Sequence, residues 1–215
     1  GVRSVGCATV QVMGVVNVTP DSFSDGGRYL DASAALAHAR RLVGDGADWV
    51  DVGGESTRPR AEPVDTAEEL RRVLPVVGAL AADGIAVSID TRKAAVAEAA
   101  VAAGARMVND VSASLASVAA ATGVGFVAMH MQGDPATMQD APRYDDVVAE
   151  VRDYLVARAR AARDAGVADV WIDPGIGFGK TLDHNLALLA GVPALAELGR
   201  PVLIGVSRKG MRPMS

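Results

Sequence analysis

The segment WVDVGGE, residues 49–55, is a short apolar run that leads into a glycine pair and a glutamate. A strand that is buried on both faces reads as an apolar run and not as an alternation of apolar and polar residues. We therefore interpret this segment as a buried strand whose carboxyl end carries a side chain fit for chemistry. Six further runs share this form: Val12–Val16 before Asn17, Val87–Ile89 before Asp90, Met107–Val108 before Asn109, Phe126–Met129 before His130, Val170–Ile172 before Asp173 and Val202–Val206 before Ser207.

Helical patterns lie between these seven strands, and the alternation predicts a parallel sheet. Apolar spacing and capping residues place the helices at 32–43, 65–80, 94–103, 116–122, 145–165 and 184–198. In the second helix Thr66 and Glu69 resemble a capping box, and Pro75 should kink or restart the helix. Parallel strands with polar groups at their carboxyl ends are typical of the active face of a β/α barrel. We expect one domain over residues 1–215.

Composition and charge narrow the class of protein. The 215 residues are 50% hydrophobic and carry a net charge of −5, which argues against a sequence-independent nucleic-acid binder. The single cysteine, Cys7, cannot form an internal disulfide and suggests a reducing compartment. No apolar run approaches the roughly 18 residues of a membrane span. We therefore expect a cytoplasmic protein with no membrane and no nucleic-acid partner.

Long loops follow the first two strands. Residues 17–27, NVTPDSFSDGG, exceed an ordinary loop of a β/α unit, so they form either a lid that closes Phe23 on an aromatic ligand or a connector with Phe23 in the core. Residues 53–59, GGESTRP, combine two glycines with Arg58, whose guanidinium can bind a carboxylate or a phosphate. The alternative for this second loop is a turn in which Glu55 and Arg58 pair with each other.

Three strands end in Asp90, Asn109 and Asp173. A carboxylate and a carboxamide that line one pocket can select a heterocycle with amidine-like N–H groups and a ring carbonyl, unless these residues cap the helices that follow.

Residues 173–181, DPGIGFGKT, resemble a nucleotide P-loop, but Pro174 stands where that motif needs its first glycine. The histidines lack zinc-ligand spacing, whereas a Mg²⁺ held by one oxygen ligand and a substrate's phosphates stays open.

Seven motifs, in this order along the chain, resemble those of the dihydropteroate synthases. They are residues 17–27, 53–59, 88–91 (SIDT), 108–112 (VNDVS), 129–133 (MHMQG), 173–180 (DPGIGFGK) and 207–209 (SRK). Any one of them is weak evidence, but all seven together are very specific. The resemblance implies a TIM (β/α)₈ barrel, of which this chain shows seven βα strands. It also implies that 6-hydroxymethyl-7,8-dihydropterin diphosphate is coupled to p-aminobenzoate in folate synthesis.

The resemblance further implies roles for single residues. Asp90, Asn109, Asp173 and Lys209 should hold the pterin ring as the catalytic set, and Asn17 should touch the diphosphate and Mg²⁺, the implied cofactor. The remaining residues implied to bind the two small-molecule substrates are Phe23, Asp25, Thr57, Arg58, Pro59, Val111, Met129, Gly177, Phe178 and Ser207. A homodimer is compatible with the family.

The chain departs from the family pattern in three places. It has no counterpart of the family's eighth strand with an Arg-x-His pair, its loop after Asn109 is shorter, and Arg60 replaces a usual glycine. We therefore expect a barrel domain that is incomplete at its C-terminal end. Two other functions stay open: a pterin-binding protein without turnover, and a methyltransferase that moves a methyl group from methyltetrahydrofolate to a corrinoid. The loop around Phe23 and the motif at 207–209 argue against the methyltransferase.

Overall fold

A computed structural model describes residues 10–18, 27–56, 63–133, 137–139 and 141–206. Strands and helices alternate in this part of the chain, as the sequence predicts. The strands are β1 (Met13–Asn17), β2 (Trp49–Gly53), β3 (Ala86–Asp90), β4 (Met107–Asp110), β5 (Gly125–Met129) and β6 (Val170–Asp173). The helices are α1 (Gly27–Gly44), α2 (Thr66–Ala82), α3 (Ala94–Ala102), α4 (Ala116–Thr122), α5 (Val147–Asp164), α6 (Leu182–Ala190) and α7 (Val192–Ala196).

The strands form one parallel sheet whose spatial order is their order along the chain. Each strand is joined to its neighbour through a helix, which is the construction of a β/α barrel of the TIM type. At the predicted seventh strand only Val202 makes a parallel bridge, to Ile172, and Leu203 donates its N–H to the Ile172 oxygen at 2.8 Å. The place of this strand in the sheet is confirmed. Within the described residues it is shorter than the apolar run at 202–206 suggests.

The two faces of the sheet have different neighbours. Alternate residues of a strand point to opposite faces, so Val50 and Val52 face one side while Asp51 faces the other. Both valines are fully buried in the apolar core that packs under the helices. Removing such surface from water stabilises the fold by roughly 25 cal/mol per Å². The face opposite the helices is therefore the one that can carry polar side chains.

Helix α2 corrects two details of the sequence analysis. Its N-cap is Asp65, whose Oδ1 accepts the N–H of Glu68 at 2.7 Å, and Glu69 is fully buried, so the proposed capping box is wrong. The helix also continues through Pro75 to Ala82 without a restart. A proline removes only one helical hydrogen bond, and the apolar residues around it hold this helix against the core.

Two further helical segments test the predicted boundaries. Helix α4 runs over 116–122 as expected, and the predicted helix at 184–198 is divided at Gly191, just before Pro193. Proline is favoured in a first helical turn, so it starts α7 where a continuous helix was expected. In the part of the chain that the structure describes, no helix has the length and apolar character that a membrane crossing requires.

Candidate active site

Four side-chain positions line up across the first four strands. Asn17 on β1 is in register with Gly53 on β2, Gly53 with Asp90 on β3, and Asp90 with Asn109 on β4. Residues in register on a parallel sheet share a face, so this row lies at the carboxyl ends of the strands on the face away from the helices. We call it the upper row. The structure thus brings together three of the predicted site residues.

Gly53 leaves space in the middle of the upper row. A Cβ atom built on this glycine would lie 3.4 Å from Oδ1 of Asn17 and 3.5 Å from Oδ2 of Asp90. The side-chain oxygens on both neighbouring strands therefore converge over the glycine. This arrangement makes a small recess bounded by a carboxamide and a carboxylate.

A lower row lies two residues earlier on the same strands, with Asp51 and Ser88 in register. The carboxamide nitrogen of Asn109 donates to Oδ2 of Asp51 at 2.9 Å and so ties the two rows together. Oδ1 of Asp51, Oγ of Ser88 and Oδ1 of Asn109 are buried, and none has a hydrogen-bond partner within the described residues. Unpaired buried polar atoms are costly, so these three atoms indicate a site built to receive hydrogen-bonding groups.

The pKa values of two carboxyl groups on this face are raised. Burial raises the pKa of Asp51, and burial together with the charges of Asp51, Glu69 and Asp110 raises the pKa of Asp90 well above its usual value. A buried carboxyl group that is hard to ionise is stabilised in its ionised form by a ligand that brings N–H donors or positive charge. Perturbed carboxyl groups in a recess are typical of functional sites.

Asp173 adds a fourth predicted residue to this face. On β5, Val127 is in register with Asn109, and Met129 two residues later is in register with Asp173. Residues two apart on a strand share a face, so Asp173 lies on the same face as Asn109. Oδ1 of Asp173 accepts the N–H of Gly175 at 2.7 Å, and burial raises the pKa of Asp173 to about 6. Asp173 and Met129 therefore lie one step above the upper row.

The loop after β6 carries the other predicted wall residues. Gly177 donates its N–H to Oδ1 of the buried Asn185 at 2.9 Å, and its carbonyl oxygen accepts Nε2 of Gln139 at 2.6 Å. The next residue, Phe178, is partly exposed and donates its N–H to the Gly175 oxygen at 3.1 Å. Both residues are thus held in a compact turn beside Asp173.

Helix capping, the alternative for the strand-end residues, fails for Asp90. Its neighbouring helix α3 has Lys93 at the N-cap and no side-chain capping bond. In the loop after β4 it is the fully buried Asp110, and not Asn109, that accepts the N–H groups of Ser112 and Leu115, both at 2.8 Å. This local network explains how the short loop reaches α4, and it leaves Asp90 and Asn109 free to face the recess.

Several predicted residues lie outside the part of the chain that the structure describes: Phe23, Asp25, Thr57, Arg58, Pro59, Ser207 and Lys209. The proposed pairing of Glu55 with Arg58 therefore lies outside the described residues as well. Glu55 itself forms ion pairs with Arg92, at 3.0 Å, and with Lys93. Val111 is described and is buried, two residues beyond Asn109.

A buried ion network lies behind the glycine pair at the end of β2. Lys93 bridges Glu55 and the fully buried Glu69, and Thr91 donates its hydroxyl to Glu69 at 2.7 Å. Arg72 donates to the Gly54 oxygen at 2.9 Å. The network fixes the backbone at the end of β2, at Gly54 and Glu55.

Sequence reasoning missed the residues that support the site from within: Asp51, Glu69, Ser88, Lys93 and Lys180. An acid between two valines inside a strand, as in VDV at 50–52, is the one signal that singles out Asp51. The roles of the others depend on contacts between distant segments. No group of three or more histidine, cysteine, aspartate or glutamate side chains within the described ranges has the geometry of a metal site.

Comparison with known proteins identifies the family. The family model described as "Pterin binding enzyme" matches residues 13–213. A dihydropteroate synthase from Mycobacterium leprae is 53% identical over 210 residues, which are 94% of this chain and 74% of the relative.

Solved structures agree with the family model. The dihydropteroate synthase of Xanthomonas albilineans with 4-aminobenzoic acid has a TM-score of 0.85 at 53% identity, over 92% of this chain and 73% of that one. The same organism's enzyme in complex with 7,8-dihydropteroate has a TM-score of 0.81 at 50% identity, over 92% and 72%. The upper row, Asp51 in the lower row and these similarities lead to one conclusion: the chain belongs to the pterin-binding enzyme family and, within it, to the dihydropteroate synthases of folate biosynthesis.

Proposed function

We propose that the chain couples 6-hydroxymethyl-7,8-dihydropterin diphosphate with p-aminobenzoate to give 7,8-dihydropteroate and diphosphate, with Mg²⁺ assisting and by an SN1-like path. The observation that carries the proposal is the set of buried, unpaired acceptors around the bond between Asn109 and Asp51. The Xanthomonas albilineans enzyme with 4-aminobenzoic acid and with 7,8-dihydropteroate supports the choice of substrates.

The pterin ring fits the acceptors of the recess. It presents amidine-like N–H donors, and Oδ1 of Asn109 and the carboxylates of Asp90 and Asp173 are acceptors. A donor on Oδ1 of Asn109 removes the cost of a buried unpaired atom, and donors on the two carboxylates compensate their burial, so an analogue without the N–H groups is strongly disfavoured. We assign Met129 and Phe178 to the apolar walls of the ring, because they flank Asp173.

The electrostatics of the pocket favour departure of the diphosphate. The C–O bond breaks and its electron pair leaves on the diphosphate, which leaves positive charge at the pterin methylene carbon. The positive charge stabilises the ionised form of nearby carboxyl groups whose pKa values are raised by burial. The ionised carboxylates in turn stabilise the positive charge. The arylamine nitrogen then forms the C–N bond and gives up a proton to water.

The amine needs no strong general base. An arylamine is weakly basic, so it arrives neutral with its lone pair available. In this proposal the difficult step is the loss of diphosphate, and exclusion of water keeps the carbocation for the amine. The proposed binding site for p-aminobenzoate is formed by the loops at 17–27 and 53–59. Its residues are Phe23, Asp25, Thr57, Arg58 and Pro59, together with Ser207 from the motif at 207–209.

Asn17 is the residue that fits a magnesium ion. Its carboxamide oxygen is exposed at the end of β1 and faces the recess over Gly53. Mg²⁺ takes oxygen ligands and usually binds through one or two protein groups and the substrate's phosphates, so a single carboxamide suits it. When bound there, the ion would stabilise charge on the leaving diphosphate.

Diphosphate release from the dihydropterin substrate tests the function. We expect diphosphate release that requires Mg²⁺ and is matched by formation of 7,8-dihydropteroate when p-aminobenzoate is present. Release should be lost in Asp90→Asn but not in Asp45→Asn, which removes a charge at an exposed position. Pterin binding without release would instead identify a binding protein without turnover.

The SN1-like path has its own test. A series of ring-substituted arylamines should turn over at nearly equal maximal rates, because the amine enters after the slow step. A steep dependence of the rate on amine nucleophilicity would reject this path and leave the overall reaction intact.

A further inference from the structure

Lys180 closes the glycine-rich segment DPGIGFGK, yet its side chain does not face the recess. The residue is only 3% exposed. Its ammonium group lies between the end of β5, at His130, and the turn after β6. A lysine that binds phosphate must present its charge to a ligand, so this position calls for a different role.

The hydrogen bonds of Lys180 are fully used. Nζ donates to the backbone oxygens of Gly175 and Phe178, both at 2.9 Å, and it lies 3.0 Å from Nδ1 of His130 and 3.4 Å from the His130 backbone oxygen. In its ammonium form this group has three donors and no acceptor, so these partners satisfy it and Nδ1 of His130 then accepts. Burial lowers the pKa of His130 to about 4, so the ring is neutral near pH 7. Two segments that are distant in sequence are thereby joined through one atom.

The backbones of these two segments lie unusually close together. A Cβ atom on Gly175 would lie 1.9 Å from the His130 oxygen, and one on Gly179 would lie 2.4 Å from the Gln132 oxygen. Both glycines have positive φ, +65° and +63°. Only glycine permits such an approach, so the glycines at 175 and 179 are what allow the two loops to pack against each other. Tyr144 adds a third link by donating its hydroxyl to the Gly179 oxygen at 2.8 Å.

The joined segments carry the walls of the recess. Met129 immediately precedes His130, and Asp173 and Phe178 flank Gly175 in the turn that Lys180 binds. Burial also lowers the pKa of Lys180 itself to about 7, while the charge of Asp173 opposes that change. A small movement of this turn would shift Asp173 and Phe178 together relative to Met129.

We propose that Lys180 is a positioning residue that fastens the turn after β6 to the end of β5 and so fixes the width of the pterin pocket. The proposal rests on the proposed function, because it assumes that the recess between Met129 and Asp173 takes the pterin. It assigns no contact between Lys180 and the substrate.

Paired substitutions of His130 test the role without removing the lysine. His130→Asn keeps an oxygen close to the position of Nδ1, whereas His130→Leu removes the side-chain acceptor at similar size. The longer contact of Nζ with the backbone oxygen of residue 130 is common to both variants. We expect the dissociation constant for 6-hydroxymethylpterin to rise on the order of tenfold in His130→Leu and in Lys180→Met, and much less in His130→Asn. The Michaelis constant for p-aminobenzoate should stay within about twofold, because its proposed site lies on other loops.

Amide hydrogen exchange provides a second readout that needs no ligand. Faster exchange at residues 174–179 in His130→Leu, with rescue in His130→Asn, is the expected result. Unchanged exchange and unchanged pterin binding in His130→Leu would overturn the proposal, and so would equal losses in both His130 variants. If the wild-type chain binds no pterin, the proposed function fails, and the exchange data still decide whether the fastening exists.

Discussion

The carboxamide nitrogen of Asn109 donates to Oδ2 of Asp51 at 2.9 Å, and this bond decides which atom of Asn109 faces the recess. An ionised carboxylate can only accept, so with Asp51 ionised Asn109 turns its nitrogen toward Asp51 and its oxygen away from it. That oxygen is buried and unpaired within the described residues. Asp51 thus sets the hydrogen-bonding character of a residue that we propose to read the pterin.

Asp51→Asn should weaken pterin binding. The substitution puts an NH₂ group where only an acceptor stood, so Asn109 can present either its oxygen or its nitrogen to the ligand. We expect the dissociation constant for 6-hydroxymethylpterin, measured by titration calorimetry, to rise by about tenfold, which corresponds to about 1.4 kcal/mol. Asp45→Asn, the same change at an exposed position, is the control. An unchanged constant in Asp51→Asn would show that Asn109 is oriented by something else.

Gly53→Ala should lower activity without unfolding the protein. The added methyl group would meet Asn17 and Asp90 at 3.4 and 3.5 Å, which is ordinary van der Waals contact, so the backbone can stay in place. The methyl group would occupy the recess that we assign to the substrate. We expect kcat/KM to fall by at least about tenfold, with little change in the free energy of unfolding.

Gly78→Ala is the matched control for that substitution. Gly78 lies within α2, and nothing lies within 4 Å of a Cβ atom built on it. Alanine in a helix interior is favoured over glycine by about 0.5–1 kcal/mol, so this variant should be slightly more stable and equally active. A loss of activity in both glycine variants would trace the effect to folding and not to the recess.

The sequence predicts most of this site because each strand is recognisable as an apolar run that ends in a polar residue. Once the strands are parallel and in order, Asn17, Asp90 and Asn109 must meet at one edge, and the register confirms it. The supporting residues were not predicted because their roles arise from contacts across the fold. Lys180 is an example: its segment resembles a phosphate loop, and only its distance to His130 reveals another role.

Boundaries were less predictable where local signals competed with packing. Pro75 signals an interruption, but the buried apolar face of α2 holds the helix together through it. The position of Glu69 in the sequence predicts a capping box, but its carboxylate is buried and accepts hydrogen bonds from Lys93 and Thr91 instead. In both cases tertiary contacts outweigh a local preference worth about 1–3 kcal/mol.

Lys93→Met should destabilise the fold strongly. Lys93 bridges Glu55 and Glu69, and the Glu69 side chain is 0% exposed, so its loss leaves a buried charge without a cation. Removing one partner of a fully buried pair costs about 3–5 kcal/mol. Because Lys93 is itself 25% exposed, we expect the lower end, about 3 kcal/mol, and urea unfolding measures the change. Arg92→Met removes a neighbouring cation that pairs with Glu55 but is 38% exposed, so its cost should be at most about 1 kcal/mol. Equal costs for the two variants would refute the role of the buried carboxylate.

Asp173→Asn should stabilise the protein at neutral pH while it weakens pterin binding. Burial raises the pKa of Asp173 to about 6 from an ordinary 3.8, so the folded state holds this proton more tightly than the unfolded state does. The resulting stability is fully present below about pH 4 and is lost as the pH rises through about 6.

An asparagine at this position stays neutral at every pH and can still accept the N–H of Gly175. The variant should therefore match the wild type near pH 4 and exceed its stability above pH 6. The expected excess is on the order of 3 kcal/mol, because one pKa unit corresponds to about 1.4 kcal/mol. Urea unfolding between pH 4 and pH 8 measures the difference in the free energy of unfolding. A difference that stays constant over this range would mean that Asp173 titrates normally. A stabilised variant that no longer binds pterin would show that the buried carboxylate is retained for the ligand at the expense of the fold.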